Sequence, residues 1–290
     1  MVKKEGYTMA NEEVKRIVMG LCPIDDECMK VIFKNNNPLA EYVLRIILNR
    51  SDLIVEKCEV KYELDDFGSH RVFLDVFARD NEGKPYSVEI RRIDSGVFAK
   101  RARYHLAALD ITSASTAKKL SEIPDSYMIF ITENDIFNGN CPRYHMDRVI
   151  VETNELFQDG AHIIYLNGAY QDVESAIGKL IHDFSCRSAE DMLCQPLADI
   201  TYKYKNTLEG VDYMCKAVEE YGLQQRNEGI QQGIQQGIQQ GIQQGVQKGV
   251  QQGILETIKK LIKKGKLSYE EIAENLDMTV DEVRKVATQI

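Results

Sequence analysis

From Arg71 to Asp80 apolar and polar positions alternate, with Leu74, Val76 and Ala78 on one side and Phe73, Asp75 and Phe77 on the other. After Asn81-Glu82-Gly83 the alternation resumes, Tyr86, Val88 and Ile90 opposing Ser87, Glu89 and Arg91. Two such runs around a short glycine-containing loop predict a hairpin, with Gly83 at the left-handed position of a three-residue turn. Upstream, apolar residues at helical spacing predict helices over residues 27–33 and 38–49, the second opened by Asn37-Pro38. A strand over 53–64 then pairs with Arg71–Arg79. Downstream the pattern predicts a helix over 97–120 and a central buried strand at Tyr127–Thr132, where apolar residues are nearly continuous. Strands at 144–152 and 162–166, joined by a helix, and helices at 173–184 and 196–221 follow. The order is that of an α/β fold: three antiparallel strands, then further strands in a mixed sheet flanked by helices.

The pattern changes at Gly229, where the chain reads GIQQ four times and then GVQK, GVQQ and GILE. On a helix a four-residue period advances about 40° per repeat, so the aliphatic stripe drifts around the axis. Each glycine costs roughly 0.5–1 kcal/mol in a helix interior. The segment 226–253 is therefore either a partly helical spacer or an oligomerising helix, and residues 229–256 offer a route to a homo-oligomer through small-residue faces. Residues 254–290 predict three short helices, two of them opened by capping boxes at Ser268 and Thr279. SYEEIAENLDMTVDEVRKVA resembles the helix-turn-helix of small transcription regulators, with Ile272, Ala273, Leu276, Val280, Val283 and Val286 as its core. Equal numbers of acids and bases over 254–290 temper a DNA-reading role, and leave packing or oligomerisation as the other reading.

At 290 residues and 43% hydrophobic content, the chain suits one well-buried domain with accessory segments. The boundaries fall at a flexible tail over 1–19, a domain over 20–225, the repeat over 226–253 and the helical end. The N-terminus lacks a signal-like apolar core, and no apolar run approaches a membrane span, so a cytoplasmic protein is expected. Its seven scattered cysteines lack CxxC spacing and read as reduced and mostly packed, with little support for zinc. A net charge of −9 excludes a surface that binds nucleic acid everywhere. Positive charge is local: Arg91, Arg92, Lys100, Arg101 and Arg103 fall within thirteen residues. That cluster is either a solvated helix face or a phosphate-contacting one.

The hairpin register carries the chemistry. A loop of Asn81, Glu82 and Gly83 pairs Asp80 with Lys84 and sets Asp75 opposite Glu89. Two facing carboxylates are destabilising unless a divalent cation compensates them, or unless both lie at exposed strand ends paired with Arg91 or a lysine. Asp75 followed by Glu89-Ile90-Arg91 resembles the D…(D/E)-x-K signature of the PD-(D/E)XK nuclease superfamily. LDVFARDNEGKPYSVEIRR with IDSGVFAKRARYHLAALD is similar to the bacterial PD-(D/E)XK nuclease family transposases, the recombination-promoting nucleases. The similarity extends from PIDDECMKVIF to IGKLIHDFSC.

The resemblance implies a restriction-endonuclease-like α/β fold with an all-α C-terminal extension, and a Mg²⁺-dependent DNA endonuclease in which Mn²⁺ can substitute. It places the metal on Asp75, Glu89 and the Ile90 carbonyl, counts Asp75, Glu89 and Arg91 as catalytic, and gives Arg92, Lys100, Arg101 and Arg103 to DNA. Arg91 departs from the pattern, since the superfamily carries Lys there and this family usually Gln; arginine keeps the charge but cannot accept a proton near neutral pH. Glu41 is a weak further acidic candidate, Asp25 and Asp26 read as helix caps, and His105, His145 and His162 read as structural or surface residues. The competing class is a non-enzymatic DNA-binding or oligomerising protein, in which the hairpin acids are structural.

Overall fold

A computed structural model describes residues 12–64, 72–91, 98–114 and 117–288 of the chain. By internal contacts it forms two units, Met1–Tyr221 and Gly222–Ile290. Helices α1 (Glu12–Gly20), α2 (Asp26–Phe33) and α3 (Asn37–Leu48) open the first unit. The tail expected over residues 1–19 thus includes a helix, and Val18 on it is buried, because an apolar face repays ordering. Asn36 caps α3 by accepting the Leu39 N–H at 3.2 Å, with Pro38 in the first turn.

Strands β1 (Val55–Leu64), β2 (Val72–Asp80) and β3 (Pro85–Arg91) form the antiparallel meander. The β2–β3 turn is built on Asp80, which is 1% exposed. Its N–H donates to the Lys84 carbonyl at 3.1 Å, and its own carbonyl accepts the Gly83 N–H at 3.0 Å. Its carboxylate accepts from the Glu82 and Lys84 N–H groups and from the Tyr86 hydroxyl. Gly83 at φ +82° occupies the left-handed position that closes the three-residue loop.

Helix α4 (Phe98–Ala114) follows, then β4 (Ser126–Thr132), β5 (Arg143–Met146), β6 (Val149–Ile150), β7 (Glu155–Leu156) and β8 (Ala161–Asn167). Six strands make one sheet in the order β1-β2-β3-β4-β8-β5. β3 and β4 are parallel, as are β4 and β8, while β5 returns antiparallel at the edge. The strand expected over 144–152 is shorter, and the helix expected after it is replaced by the small β6–β7 ladder. Left-handed Asn154 and Gln158 break helical continuity there. β4 is buried on both faces, as its apolar run predicts.

Alternate residues serve two cores. Val76, Ala78, Tyr86, Val88, Ile90, Ile129 and Ile164 join α2, α3, α5 (Ala176–Phe184), α6 (Gln195–Asn206) and the start of α7 (Leu208–Lys264). Met128, Phe130 and Tyr165 pack against Ala102 and Leu106 of α4 on the other side. The single helix expected over 196–221 is divided at Thr207, whose backbone is extended and whose hydroxyl accepts the Gly210 N–H. Of the cysteines, Cys22, Cys28, Cys58, Cys194 and Cys215 are buried, and all seven are free thiols.

In the second unit the repeat is helical throughout, as part of α7, with Ile230, Ile234, Ile238, Ile242, Val246 and Val250 exposed. Ile258 of α7 then forms a small core with Ile272 and Ala273 of α8 (Tyr269–Asn275) and Val283 and Val286 of α9 (Val280–Ala287). Both predicted capping boxes are formed, Ser268 with Glu271 and Thr279 with Glu282. No described helix is long and apolar enough to cross a membrane.

Candidate active site

The pairs Ala78–Tyr86 and Val76–Val88 fix the β2–β3 register, and the ladder ends at Val76–Val88. Asp75 and Glu89, expected to face each other, are the next position on each strand, one step beyond the last observed pair. Because Asp80 and Lys84 form a hydrogen-bonded pair, every second residue of β3 directs its backbone groups at β2. By that alternation Ile90, two residues past the last pair, directs its carbonyl to the β2 side of the strand.

Glu89 is 0% exposed and lies on the α4 face of β3. Arg101 and His105 stand four apart on α4, hence on one helical face, and both reach this carboxylate. His105 Nδ1 is 2.7 Å from Glu89 Oε1, and Arg101 Nη2 is 3.6 Å from Glu89 Oε2. Two α4 side chains therefore contact the buried carboxylate, one on each oxygen. Ser87, two residues earlier on the same face, has a buried hydroxyl with no hydrogen-bond partner among the described residues.

Asp75 is half-buried and sits where the strands change face. Val60 and Val76 belong to the main core, whereas Tyr62, Leu64, Val72 and Leu74 join Phe77 against Ala108 and Leu109 of α4. The turnover occurs at Lys61, a non-glycine residue at φ +52° lying between the pairs Val60–Val76 and Tyr62–Leu74. The regular alternation expected along β2 thus fails outward of Asp75: Phe73 is 47% exposed and Leu74 is buried with Phe77. Lys61 Nζ lies 4.9 Å from the centre of the Tyr221 ring, which Lys30 also covers at 4.7 Å. Burial first, then the hydrogen bond from the Tyr221 hydroxyl to Asp26, then the charges of Asp26, Glu27 and Asp75 push the Tyr221 phenol far up. The charge of Asp75 is thus felt on the α2 side, while the contacts of Glu89 lie on the α4 side.

Arg91 ends β3 in register with Thr132, and its side chain lies outside the described residues, as does all of Arg92. Lys100, Arg101 and Arg103 are exposed on α4, and Arg101 also serves Glu89. Glu41 is engaged elsewhere, accepting the Val55 N–H at 3.0 Å and pairing with Arg45 at 2.8 Å. Asp25 stands at the N-cap of α2 but turns back to the Cys22 N–H at 2.7 Å, so it makes no side-chain cap. The sequence reading missed the partner of His105. The four-residue spacing of Arg101 and His105 was the available signal, but which strand residue the helix would meet was not written in it.

A mixed sheet flanked by helices, with an acidic hairpin at the end of a ladder, is a restriction-endonuclease-like α/β fold. Residues 35–170 match the model of the family described as PD-(D/E)XK nuclease family transposase, a span that holds Asp75, Glu89 and α4. Comparison with curated proteins and with solved structures gave no match. The family points to nuclease- or transposase-type function, and nucleases of this kind generally use divalent metals. Two carboxylates and a carbonyl are the hard oxygen donors that Mg²⁺ takes, so the residues at the end of the ladder fit such an ion in kind.

Proposed function

We propose that this chain is a Mg²⁺-dependent DNA endonuclease, with Asp75, Glu89 and the Ile90 carbonyl holding the ion and Mn²⁺ able to replace it. What supports this reading is the β2–β3 register, whose last pair, Val76–Val88, is followed on each strand by Asp75 and Glu89. When bound, the cation supplies Lewis-acid polarisation of a phosphate and a water of lowered pKa. His105 and Arg101 hold the Glu89 oxygens in position. Arg91, at the third motif position, orients the phosphate or offsets the negative charge that develops on it, and does not act as the base. The unpartnered Ser87 hydroxyl is placed to orient a water or a carboxylate. Lys100, Arg101 and Arg103, exposed on α4, give an otherwise acidic protein a local positive surface for DNA phosphates, and Arg92 is assigned to the same role from the sequence alone.

The second reading is a DNA-binding protein that no longer cuts. Arg91 favours it, as do the contacts that Arg101 and His105 of α4 make with the two Glu89 oxygens. Replacing Asp75 by alanine separates the two readings when DNA cleavage and DNA binding are measured on the same preparation. The endonuclease reading expects cleavage lost with binding kept, and the other expects neither to change.

A further inference from the structure

A second site lies at the opposite edge of the sheet. Tyr86, Tyr127 and His162 form a row across β3, β4 and β8, their rings stacked at 4.9 and 4.6 Å. β5 pairs with β8 as far as Met146–Ile163, so the next step carries Asp147 opposite His162. The period of two sets His145 on the same face as Asp147. His162 Nδ1 is 2.7 Å from Asp147 Oδ1 and 3.2 Å from His145 Nε2, and His145 Nε2 is 3.5 Å from the same carboxylate oxygen.

We infer that His145, Asp147 and His162 form a binding site for a borderline divalent cation of the Zn²⁺ class, independent of the hairpin acids. Three ligand atoms, two imidazole nitrogens and one carboxylate oxygen, converge within 3.5 Å of one another. A tetrahedral Zn²⁺ with ligand bonds of about 2.0–2.1 Å separates its ligands by about 3.4 Å, and the three contacts bracket that value. Two imidazoles and a carboxylate select a transition metal over Mg²⁺, which takes oxygen. Stacking on Tyr127 fixes the His162 ring. A cavity of about 190 Å³ opens beside Asp147 and His162, lined also by Asp125, Asp159 and Arg148. Such an ion would tie the edge strand β5 to β8.

The test is a Co²⁺ titration of the full chain, stripped with EDTA and dialysed, followed by visible absorption and then by competition with Zn²⁺ and with excess Mg²⁺. The wild type is expected to give one tetrahedral Co²⁺ band, displaced by Zn²⁺ and untouched by Mg²⁺. His145→Ala and Asp147→Asn should weaken affinity by at least about 100-fold, the upper end of what loss of an outer partner alone costs. His182→Ala, in the cluster of His182, Asp183 and Cys186, should leave the band intact. His145 is exposed at the edge, so its variant keeps the fold, which far-UV circular dichroism checks. No tetrahedral band in the wild type, equal isotherms in His145→Ala, or loss of the band only in His182→Ala would overturn the assignment. The readout involves no DNA, so it stands or falls apart from the endonuclease reading.

Discussion

Replacing His105 by alanine removes a 2.7 Å contact on a carboxylate that has no exposure to water. A hydrogen bond to a charged group contributes about 1.5–3 kcal/mol, and stripping a buried ion of its partner costs about 3–5 kcal/mol. Arg101 stays 3.6 Å from the other oxygen and is itself 44% exposed, so part of the balance survives. The expected loss is therefore about 2–3 kcal/mol. Glu89→Gln removes the charge that His105 serves, so the double variant should lose less than the sum of the single losses, by about 1–2 kcal/mol. Urea unfolding of the wild type, His105→Ala, Glu89→Gln and the double variant near neutral pH measures this coupling, provided the denaturant slope is common to all four. Additivity to within about 0.5 kcal/mol would refute the role given to His105.

Other consequences are as direct. Burial pushes the Cys28 and Cys58 thiols up to about 12 from 9.0, so the folded state keeps protons that the unfolded chain sheds near pH 9. The stability they contribute is complete below that pH and is lost as pH rises toward about 12; urea midpoints should fall between about pH 8 and pH 10, less so in Cys28→Ala, and a flat midpoint contradicts this. Lys100→Ala and Arg103→Ala should each flatten the salt dependence of DNA binding by about 0.9 per phosphate contact, measured by fluorescence anisotropy, and an unchanged slope removes them from the interface. A Cβ at Gly237 or Gly241 meets nothing within 4 Å, so alanine at either should raise helix stability by about 0.5–1 kcal/mol in thermal circular dichroism. A loss of helicity would instead mean that the glycines serve close backbone contact between copies.

What could be read from the residues was local. The hairpin register followed from loop length and Gly83, and both capping boxes from a serine or threonine three residues before a glutamate. The strand Ser126–Thr132 followed from an apolar run, and the C-terminal core from helical spacing. What could not be read depends on tertiary placement. Lys61 adopts a left-handed conformation that nothing in its side chain favours, and this turns the outer half of the β1–β2 hairpin over at Asp75. His105 looked unpartnered because its partner lies on a strand sixteen residues earlier, met only when α4 packs on the sheet. The convergence of His145 and His162 likewise needed the antiparallel return of β5, which a longer strand and an intervening helix had concealed.

The central claim is that the end of the β2–β3 ladder is a metal-dependent cutting site. Nicking of supercoiled plasmid by the purified chain, with Mg²⁺ or with excess EDTA, tests it beside Asp75→Ala, Glu89→Ala and Arg91→Gln. The account predicts nicking that requires the metal and vanishes in both alanine variants. Cutting that appears only in Arg91→Gln would mean that this chain has lost the activity its scaffold still supports. Nicking that survives in both alanine variants, or none from any variant while all bind DNA equally, would contradict the site.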